Sequence, residues 1–219
     1  MLAAGTASRY GALKQFEDLA GRTLVDRAVD VALGATSAVV AVVPPACGWT
    51  RPDIAGVVRG GPSRCASVRC GLAVVPTAVP IVVLHDAAHP LADAHLFDSV
   101  IAAVLAGADA AVPGVPVTDV LRRVDGTVMA EEIGRDGIVE VQVPQAFRAD
   151  ILRAVHASRP DAAEDSSLVL RRGGRVEVVT GDPWNVHVTT AAELALARKL
   201  VGDVGSTRRR PAPGSRAHD

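Results

Sequence analysis

The sequence contains no run of about 20 consecutive apolar residues, the length that a membrane-spanning helix needs, so we expect no membrane segment in its 219 residues. It also lacks a basic excess, since 23 Lys and Arg face 24 Asp and Glu, and a nucleic-acid-binding surface would need one. The opening residues, MLAAGTASRYG, lack the basic and then apolar stretches of a secretory signal peptide. These absences predict a cytoplasmic protein whose partners include neither nucleic acid nor membrane.

Cysteine and lysine are both scarce. The three cysteines, Cys47, Cys65 and Cys70, are odd in number and lack the paired spacing of a metal site, which favours a reduced, cytosolic setting. Lysine occurs only at Lys14 and Lys199, and arginine supplies the rest of the Lys and Arg total. A lysine inside a loop of small residues is therefore an informative position in this chain.

The sequence does contain an alternation of apolar, β-branched runs with helical patterns. Apolar residues make up 49% of the chain and charged residues 21%, which is typical of a folded domain. The strand candidates are residues 37–43, 80–85, 109–112, 175–179 and 186–188. The helix candidates are residues 24–33, 63–74, 94–106, 149–157, 163–172 and 191–201. The alternation predicts an α/β fold with a mostly parallel sheet and helices on both faces, in one domain over residues 1–201.

Three helix starts carry capping signals. Thr23 precedes the first helix candidate, and Ser63 stands at the start of the second. Thr190-Ala-Ala-Glu193 has the spacing of a capping box and opens the last one.

Two segments interrupt the alternation. Residues 118–134 have a polar hairpin pattern with Asp125-Gly126 as the turn signal, so we expect a β-arm that projects from the sheet. Residues 202–219 lack periodicity and are rich in Gly, Pro and Arg, which predicts a disordered tail. Only residues 1–4 precede Gly5, fewer than the roughly five residues of a typical buried strand, so either the first strand is very short or the true start lies upstream.

The segment from Ala3 to Lys14 combines small residues with two cations. Small residues allow backbone N–H groups to approach phosphate oxygens, and Arg9 and Lys14 would add positive charge beside a polyphosphate. The spacing matches neither a Walker A loop nor a GxGxxG loop. A surface turn with two solvated cations explains the residues about equally well, and the scarcity of lysine tilts the balance slightly toward a phosphate site.

Three further segments place polar groups at junctions between elements. The double glycine at Gly60 leads into a helix whose N–H groups could bind an anion and whose Ser67 could bond a base or ribose; an ordinary capped helix is the alternative. Asp86 follows a buried strand and could hold a divalent ion or a ribose hydroxyl, or be a turn aspartate. Residues 185–190 lead into the last helix, and a plain junction explains them as well.

The order of these motifs is more specific than any one of them. AAGxxxR and KQF, then GGxxRxxSV, HDAAxP, PQxF and NVxVT, resembles the 2-C-methyl-D-erythritol 4-phosphate cytidylyltransferase family from Leu2 to about Val201. The resemblance implies a Rossmann-like nucleotidyltransferase fold and a homodimer formed through a protruding β-arm. It implies transfer of CMP from CTP to the phosphorylated polyol of isoprenoid precursor biosynthesis, with Mg²⁺ as cofactor and release of pyrophosphate.

The resemblance also implies a role for individual residues. The catalytic residues that it implies are Arg9, Lys14, Arg135 and His187. The nucleotide-binding residues that it implies are Ala3, Ala4, Gly5, Thr6, Gly61, Ser67 and Asp86. The acceptor-binding residues that it implies are Asp86, His89, Arg135, Glu164 and His187. Of these, Asp86 would also lie near Mg²⁺, and Arg135 would reach the acceptor of the partner subunit.

The chain departs from the family pattern mainly on the acceptor side. His89 and His187 stand where the family usually has Arg and Lys, and Val120 and Val143 stand where it has Thr. The TD(E/D) segment reads Ala163-Glu164-Asp165, and the loop between Arg9 and Lys14 is short and lacks the usual proline.

The histidine replacements weaken positive charge, because imidazole loses most of its charge by about pH 7 unless an anion stabilises it. We expect both histidines to be mostly neutral at pH 7.5 without acceptor. Three hypotheses follow: a working member with a variant pocket, a cytidylyltransferase for another polyol phosphate, or an impaired paralogue with a CTP-binding or structural role.

Overall fold

The computed structural model describes residues 1–5, 13–159 and 161–204. In that part of the chain the strands are β1 (Val40–Val43), β2 (Gly56–Arg59), β3 (Ile81–Leu84), β4 (Ala110–Pro116), β5 (Leu121–Asp125), β6 (Val128–Ile133), β7 (Val139–Val141), β8 (Gln145–Arg148) and β9 (Val176–Thr180). The helices are α1 (Leu24–Ala35), α2 (Arg64–Leu72), α3 (Ala94–Leu105), α4 (Ala149–His156), α5 (Ser166–Arg171) and α6 (Ala191–Val204). A 3₁₀ turn occupies Lys14–Phe16.

The central sheet is mixed rather than mostly parallel. β2 and β1 are parallel, and Leu2 forms parallel bridges to Val42 of β1 and to Asp86 just after β3. β8 lies between β3 and β4 and runs antiparallel to both, while β9 is parallel to β4 and β7 is antiparallel to it. The expectation of a mostly parallel sheet is therefore corrected. An apolar run indicates a buried strand, but its composition carries no information about its direction.

Helices cover both faces of the sheet, as the alternation predicted. Leu2 and Val42 point to one face, where they pack with α2, α4 and α5. Ala3, Ala41 and Val43 point to the other, where they pack with α1 and α3. Successive residues of a strand point to opposite faces, so the continuous apolar run of β1 fits a strand that is buried on both sides.

The capping signals are confirmed. The hydroxyls of Thr23 and Ser63 each accept a bond from a backbone N–H three residues on, at 3.2 Å in both cases. In the capping box the Glu193 carboxylate accepts from the N–H of Thr190 at 2.7 Å, and the Thr190 hydroxyl accepts from the N–H of Glu193 at 3.3 Å.

Other boundaries differ from the sequence expectations. Residues 186–188 form no strand although the structure describes them, and β2, β7 and β8 lay outside every strand candidate. Helix α6 continues to Val204, so residues 202–204 are helical rather than part of a disordered tail. Residues 205–219 of that predicted tail lie outside the described residues.

The predicted hairpin is present as β5 and β6, which pair antiparallel across Gly126-Thr127. Gly126 has φ of 58°, a conformation that glycine adopts at little cost in such turns. The strands present exposed residues almost throughout, including Val124, Val128 and Met129. Among the helices of the described residues, none is both long and apolar enough to span a membrane.

Candidate active site

Three loops meet at the carboxyl ends of neighbouring strands. Residues 3–5 follow the short central segment around Leu2, Gly60-Gly61 follow β2, and residues 85–89 follow β3. The central segment is bonded on one side through the Ala3 N–H to the Val42 carbonyl at 2.8 Å, and on the other through the Leu2 N–H to the His85 carbonyl at 2.7 Å. Strand order reverses at this segment, and such a switch point is where open α/β sheets form a ligand crevice.

The double glycine lets the first two loops touch. A Cβ on Gly60 would overlap the Cβ of Ala4 and lie 2.9 Å from the Ser67 hydroxyl, and one on Gly61 would lie 2.5 Å from the Cβ of Ala66. The Ser67 hydroxyl accepts from the Gly61 N–H at 3.2 Å and donates to the Ser63 carbonyl at 3.0 Å. Ser67, predicted to read the nucleotide, is buried and already supports the Gly61 loop.

Gln15 anchors the start of the first loop, a role that the sequence reasoning missed. Its buried side-chain amide donates to the carbonyls of Ala3 at 2.8 Å and of Gly5 at 3.2 Å. The neighbouring Lys14 donates its Nζ to the Val188 carbonyl at 2.7 Å, which ties the first loop to residues 185–190. Thr6 and Arg9 lie outside the described residues, so their predicted roles are untested. The KQF motif was the available signal for Gln15.

The two substituted histidines form a stacked pair. The rings of His89 and His187 lie 4.5 Å apart between centroids and 11° from parallel. His89 is buried, and its Nδ1 lies 3.3 Å from the Asn185 carbonyl oxygen. Burial and the neighbouring His187 lower the pKa of His89 to about 4, so His89 is neutral at pH 7.5 as expected. His187 is the exposed member of the pair.

Asp86 lies at the carboxyl end of β3, half-buried beside this pair. Burial raises the pKa of its carboxyl, while the positive charges of Arg64 and His187 oppose that rise. A carboxylate held in this position suits a hard divalent cation that completes its shell with substrate phosphates and water. The structure therefore brings Asp86, His89, His187 and Lys14 to one edge of the sheet.

The remaining predicted residues lie on other segments. Arg135 is exposed at the base of the hairpin and donates to the Thr118 carbonyl. Glu164 accepts a bond from the Ser166 hydroxyl just before α5. Val120 is exposed on the way into the hairpin, whereas Val143 is buried, and the Val143 carbonyl accepts from the Asn185 side chain at 2.7 Å.

Comparison with known proteins identifies the same family as the order of the sequence motifs. The family model "IspD: 2-C-methyl-D-erythritol 4-phosphate cytidylyltransferase" matches residues 1–203. A 2-C-methyl-D-erythritol 4-phosphate cytidylyltransferase of Rhodococcus jostii (strain RHA1) is 40% identical over 91% of this chain and 92% of its own length. A bifunctional enzyme IspD/IspF of Paracoccus denitrificans (strain Pd 1222) is 34% identical over 93% of this chain, which spans 55% of that enzyme's length.

A solved structure shares the architecture. The crystal structure of 2-C-methyl-D-erythritol 4-phosphate cytidylyltransferase from Thermus thermophilus superposes with a TM-score of 0.82 at 29% identity. The match covers 92% of this chain and 96% of that one.

Proposed function

The chain belongs to the 2-C-methyl-D-erythritol 4-phosphate cytidylyltransferase family, and from that membership we propose how its own residues carry the reaction. It is a nucleotidyltransferase that transfers CMP from CTP to 2-C-methyl-D-erythritol 4-phosphate. The products are 4-diphosphocytidyl-2-C-methyl-D-erythritol and pyrophosphate, in isoprenoid precursor biosynthesis.

The chemistry requires positive charge rather than a covalent nucleophile. A phosphate oxygen of the acceptor attacks the α-phosphorus of CTP in line. The bond from that phosphorus to the bridging oxygen breaks, and its electron pair leaves with pyrophosphate. The anionic acceptor must approach the anionic triphosphate, and anionic pyrophosphate must then leave. Positioning and charge neutralisation therefore supply the catalysis.

The nucleotide is bound by backbone groups on small residues. The backbone of Ala3, Ala4, Gly5 and Gly61 lines the polyphosphate and the base. The Ala3 N–H anchors the first loop on Val42, and Ser67 holds the Gly61 loop in place. The observation that carries this assignment is the close packing of Gly60 on Ala4 and Ser67 at the switch point. Lys14, together with Arg9 and Thr6, completes the loop and stabilises the charge that develops on pyrophosphate.

Asp86 is the residue that would hold a divalent cation, which we take to be Mg²⁺. When bound, the ion supplies charge neutralisation to the phosphates. The position of the carboxylate at the end of β3 supports this assignment. Its partial burial raises its pKa, and a cation there would offset the cost of holding a negative charge partly shielded from water.

The acceptor is bound on the His187 side of Asp86. His187 meets the acceptor phosphate, and the buried His89 supports its ring by stacking. Glu164 and Arg135 complete the acceptor site, with Arg135 supplied across a homodimer formed through the β5–β6 hairpin. We place the enzyme in the cytoplasm, where its substrates are soluble phosphates.

A second acceptor specificity is favoured by one observation. His89, which replaces a usual arginine, is neutral and turned toward the Asn185 carbonyl. That side of the pocket consequently offers less charge to a phosphate, and another polyol phosphate is the alternative acceptor.

The test is a direct transfer assay with CTP and Mg²⁺, in which pyrophosphate release and the mass of the product are both measured. The acceptor panel is 2-C-methyl-D-erythritol 4-phosphate, erythritol 4-phosphate and ribitol 5-phosphate. We expect the largest kcat/KM with the methylated acceptor. A larger value with another member would establish the alternative specificity. Titration calorimetry that detects neither CTP nor acceptor binding would contradict the proposed function.

A further inference from the structure

A buried ion pair lies behind the nucleotide loops. Arg64, in the first turn of α2, donates to one carboxylate oxygen of Asp165, the residue just before α5. The other carboxylate oxygen lies 2.8 Å from Nε2 of His156 at the end of α4. Asp165 is fully buried, His156 is nearly so, and a quarter of the Arg64 side chain (26%) is exposed.

The carboxylate is held in its charged form. Burial disfavours the Asp165 anion, but the His156 hydrogen bond and the Arg64 charge outweigh it, so the pKa lies below its ordinary value. A second contact joins the same two segments, because the thiol of Cys65 donates to the Ala162 carbonyl at 3.4 Å. The first turn of α2 is thus fastened to the loop of residues 161–165.

Arg64 also acts toward the active site. It lies three residues after Gly61, and its charge reaches Asp86. Burial is the largest influence on the pKa of both groups; beyond burial, Arg64 lowers the pKa of Asp86 and Asp86 raises that of Arg64. A guanidinium within electrostatic range of the carboxylate that we propose holds the metal can bond nucleotide phosphate or ribose oxygens in a fixed geometry.

We propose that Asp165, itself held by His156, is a positioning residue that fixes the Arg64 guanidinium at the edge of the nucleotide site, where Arg64 binds CTP. The proposal rests on the proposed function, since it names a further group that recognises the same substrate. It accounts for a charged residue that is completely buried 101 positions along the chain from its partner.

The same cluster has the composition of a metal site. Donor atoms of Cys65, His156 and Asp165 lie within 4.8 Å of one another, and all three residues are buried. A metal would need the oxygen and nitrogen that Asp165 and His156 already share. It would also need a Cys65 thiolate, although burial raises the pKa of that thiol, and it would leave Arg64 without a full counter-charge. The ion-pair network therefore explains the cluster better.

The experiment compares Asp165→Asn, Arg64→Met and the double variant, with Asp161→Asn as the matched control, because Asp161 is exposed on the same loop. Calorimetry measures the Kd for CTP, steady-state kinetics measures both KM values, and thermal unfolding measures Tm. We expect Asp165→Asn to raise the Kd and KM for CTP about tenfold, because the displaced guanidinium would lose one charge-assisted hydrogen bond to CTP. The acceptor KM should stay within about twofold, and the control should match wild type.

The double variant separates positioning from simple support of the fold. Asp165→Asn alone leaves the partly buried Arg64 guanidinium without its carboxylate partner and lowers Tm, whereas the double variant removes both charges and should recover Tm. Because Asp165 acts through Arg64, CTP affinity in the double variant should remain as weak as in Arg64→Met. Recovery of CTP affinity together with Tm would overturn the proposal.

Two further outcomes would overturn it. A rise confined to the acceptor KM would assign Arg64 to the other substrate. One equivalent of zinc by elemental analysis, lost in Cys65→Ser and kept in Cys70→Ser, would establish a metal site. Calorimetric Kd values need no turnover, so a wild-type protein that binds CTP without transferring CMP would count against the proposed function and leave this test intact.

Discussion

The two halves of the proposed site are built in different ways. The nucleotide half consists of backbone and small side chains packed so closely that Gly60 has no room for a methyl group. The acceptor half consists of side chains on separate segments, and there His89 and His187 stack in place of the cations expected from the family. A half defined by close packing cannot change one residue without moving a loop. A half defined by side-chain charge can change its specificity while the loops stay where they are.

The largest effect should come from the lysine that joins the halves. Lys14 leaves the nucleotide loop and donates to the Val188 carbonyl beside His187. Lys14→Ala should lower kcat by about 10²–10³-fold, the usual loss for one well-placed donor to a developing charge. Lys199→Ala, at the exposed second lysine on α6, is the control. Turnover of Lys14→Ala within about threefold of the control would remove Lys14 from the catalytic set.

Gly60→Ala tests the close packing directly. The added methyl would overlap Ala4 and crowd the Ser67 hydroxyl, and overpacking of this kind typically costs about 1–3 kcal/mol. We expect a lower Tm and a Kd for CTP raised by about 10–100-fold. Gly34→Ala in α1 has nothing within 4 Å of the new Cβ and should bind CTP normally. Unchanged CTP affinity in Gly60→Ala would mean that the loop contact is not part of the nucleotide site.

The hairpin tests whether the acceptor half is shared between subunits. Met129 is 66% exposed on β6, and a carboxylate there would oppose burial against a second subunit. Met129→Glu should give monomers in sedimentation and raise the acceptor KM about tenfold or less, more than the KM for CTP. Leu105→Glu, at an apolar residue on α3 that is 73% exposed, is the control. A wild-type protein that sediments as a monomer at micromolar concentration would refute the dimer.

His187→Lys tests whether the exposed ring of the pair binds the acceptor phosphate. Imidazole gains charge between pH 8 and pH 6, whereas lysine stays charged throughout. The wild-type acceptor KM should fall about fivefold over that range, as one exposed charge pair allows, and the variant should show a flat, low KM. The KM for CTP provides the internal control. Equal, pH-independent acceptor KM values in both proteins would show that His187 does not meet the acceptor phosphate.

The buried ring of the pair should make the stability of the fold depend on pH. The pKa of His89 is about 4 in the folded protein, lowered first by burial, and about 6.5 in an unfolded chain. Between those pH values His89 is protonated in the unfolded chain but not in the folded protein. The free energy of unfolding therefore falls as the pH drops from about 6.5 to 4. His89→Gln should reduce the slope of unfolding free energy by about 1.4 kcal/mol per pH unit. Urea titrations at several pH values measure it, and an unchanged slope would contradict the assignment.

Sequence patterns predicted the parts of this molecule that depend on neighbouring residues. Thr23 and Ser63 were recognisable as caps because a cap bonds within its own turn, and the β5–β6 turn was recognisable from Asp125-Gly126. The strand β8 was not recognised at all, and its antiparallel direction could not have been read from strand periodicity, which is the same in both directions.

Contacts between residues that are far apart in the chain could not be predicted from the sequence patterns. The Arg64–Asp165 pair joins positions 101 apart, and the His89–His187 stack joins two loops that no local signal connects. The motif order located most of the candidate site through its resemblance to a family. It could not show that Ser67 supports a loop or that His89 faces a carbonyl.

The way the hairpin joins the body has an evolutionary consequence. It is inserted between β4 and β7, and its base is closed by pairing of Gly114–Pro116 with Val139–Val141 and by the bond from the Val117 N–H to the Ile138 carbonyl at 3.1 Å. β5 and β6 expose nearly all of their residues, so the body gains little of its core from them. Mutations in the hairpin are therefore subject to selection on the surfaces that the hairpin contacts rather than to selection on folding of the body. Descendants of this chain can therefore lengthen, recharge or replace the hairpin, and drift toward new assemblies, while the body keeps its fold.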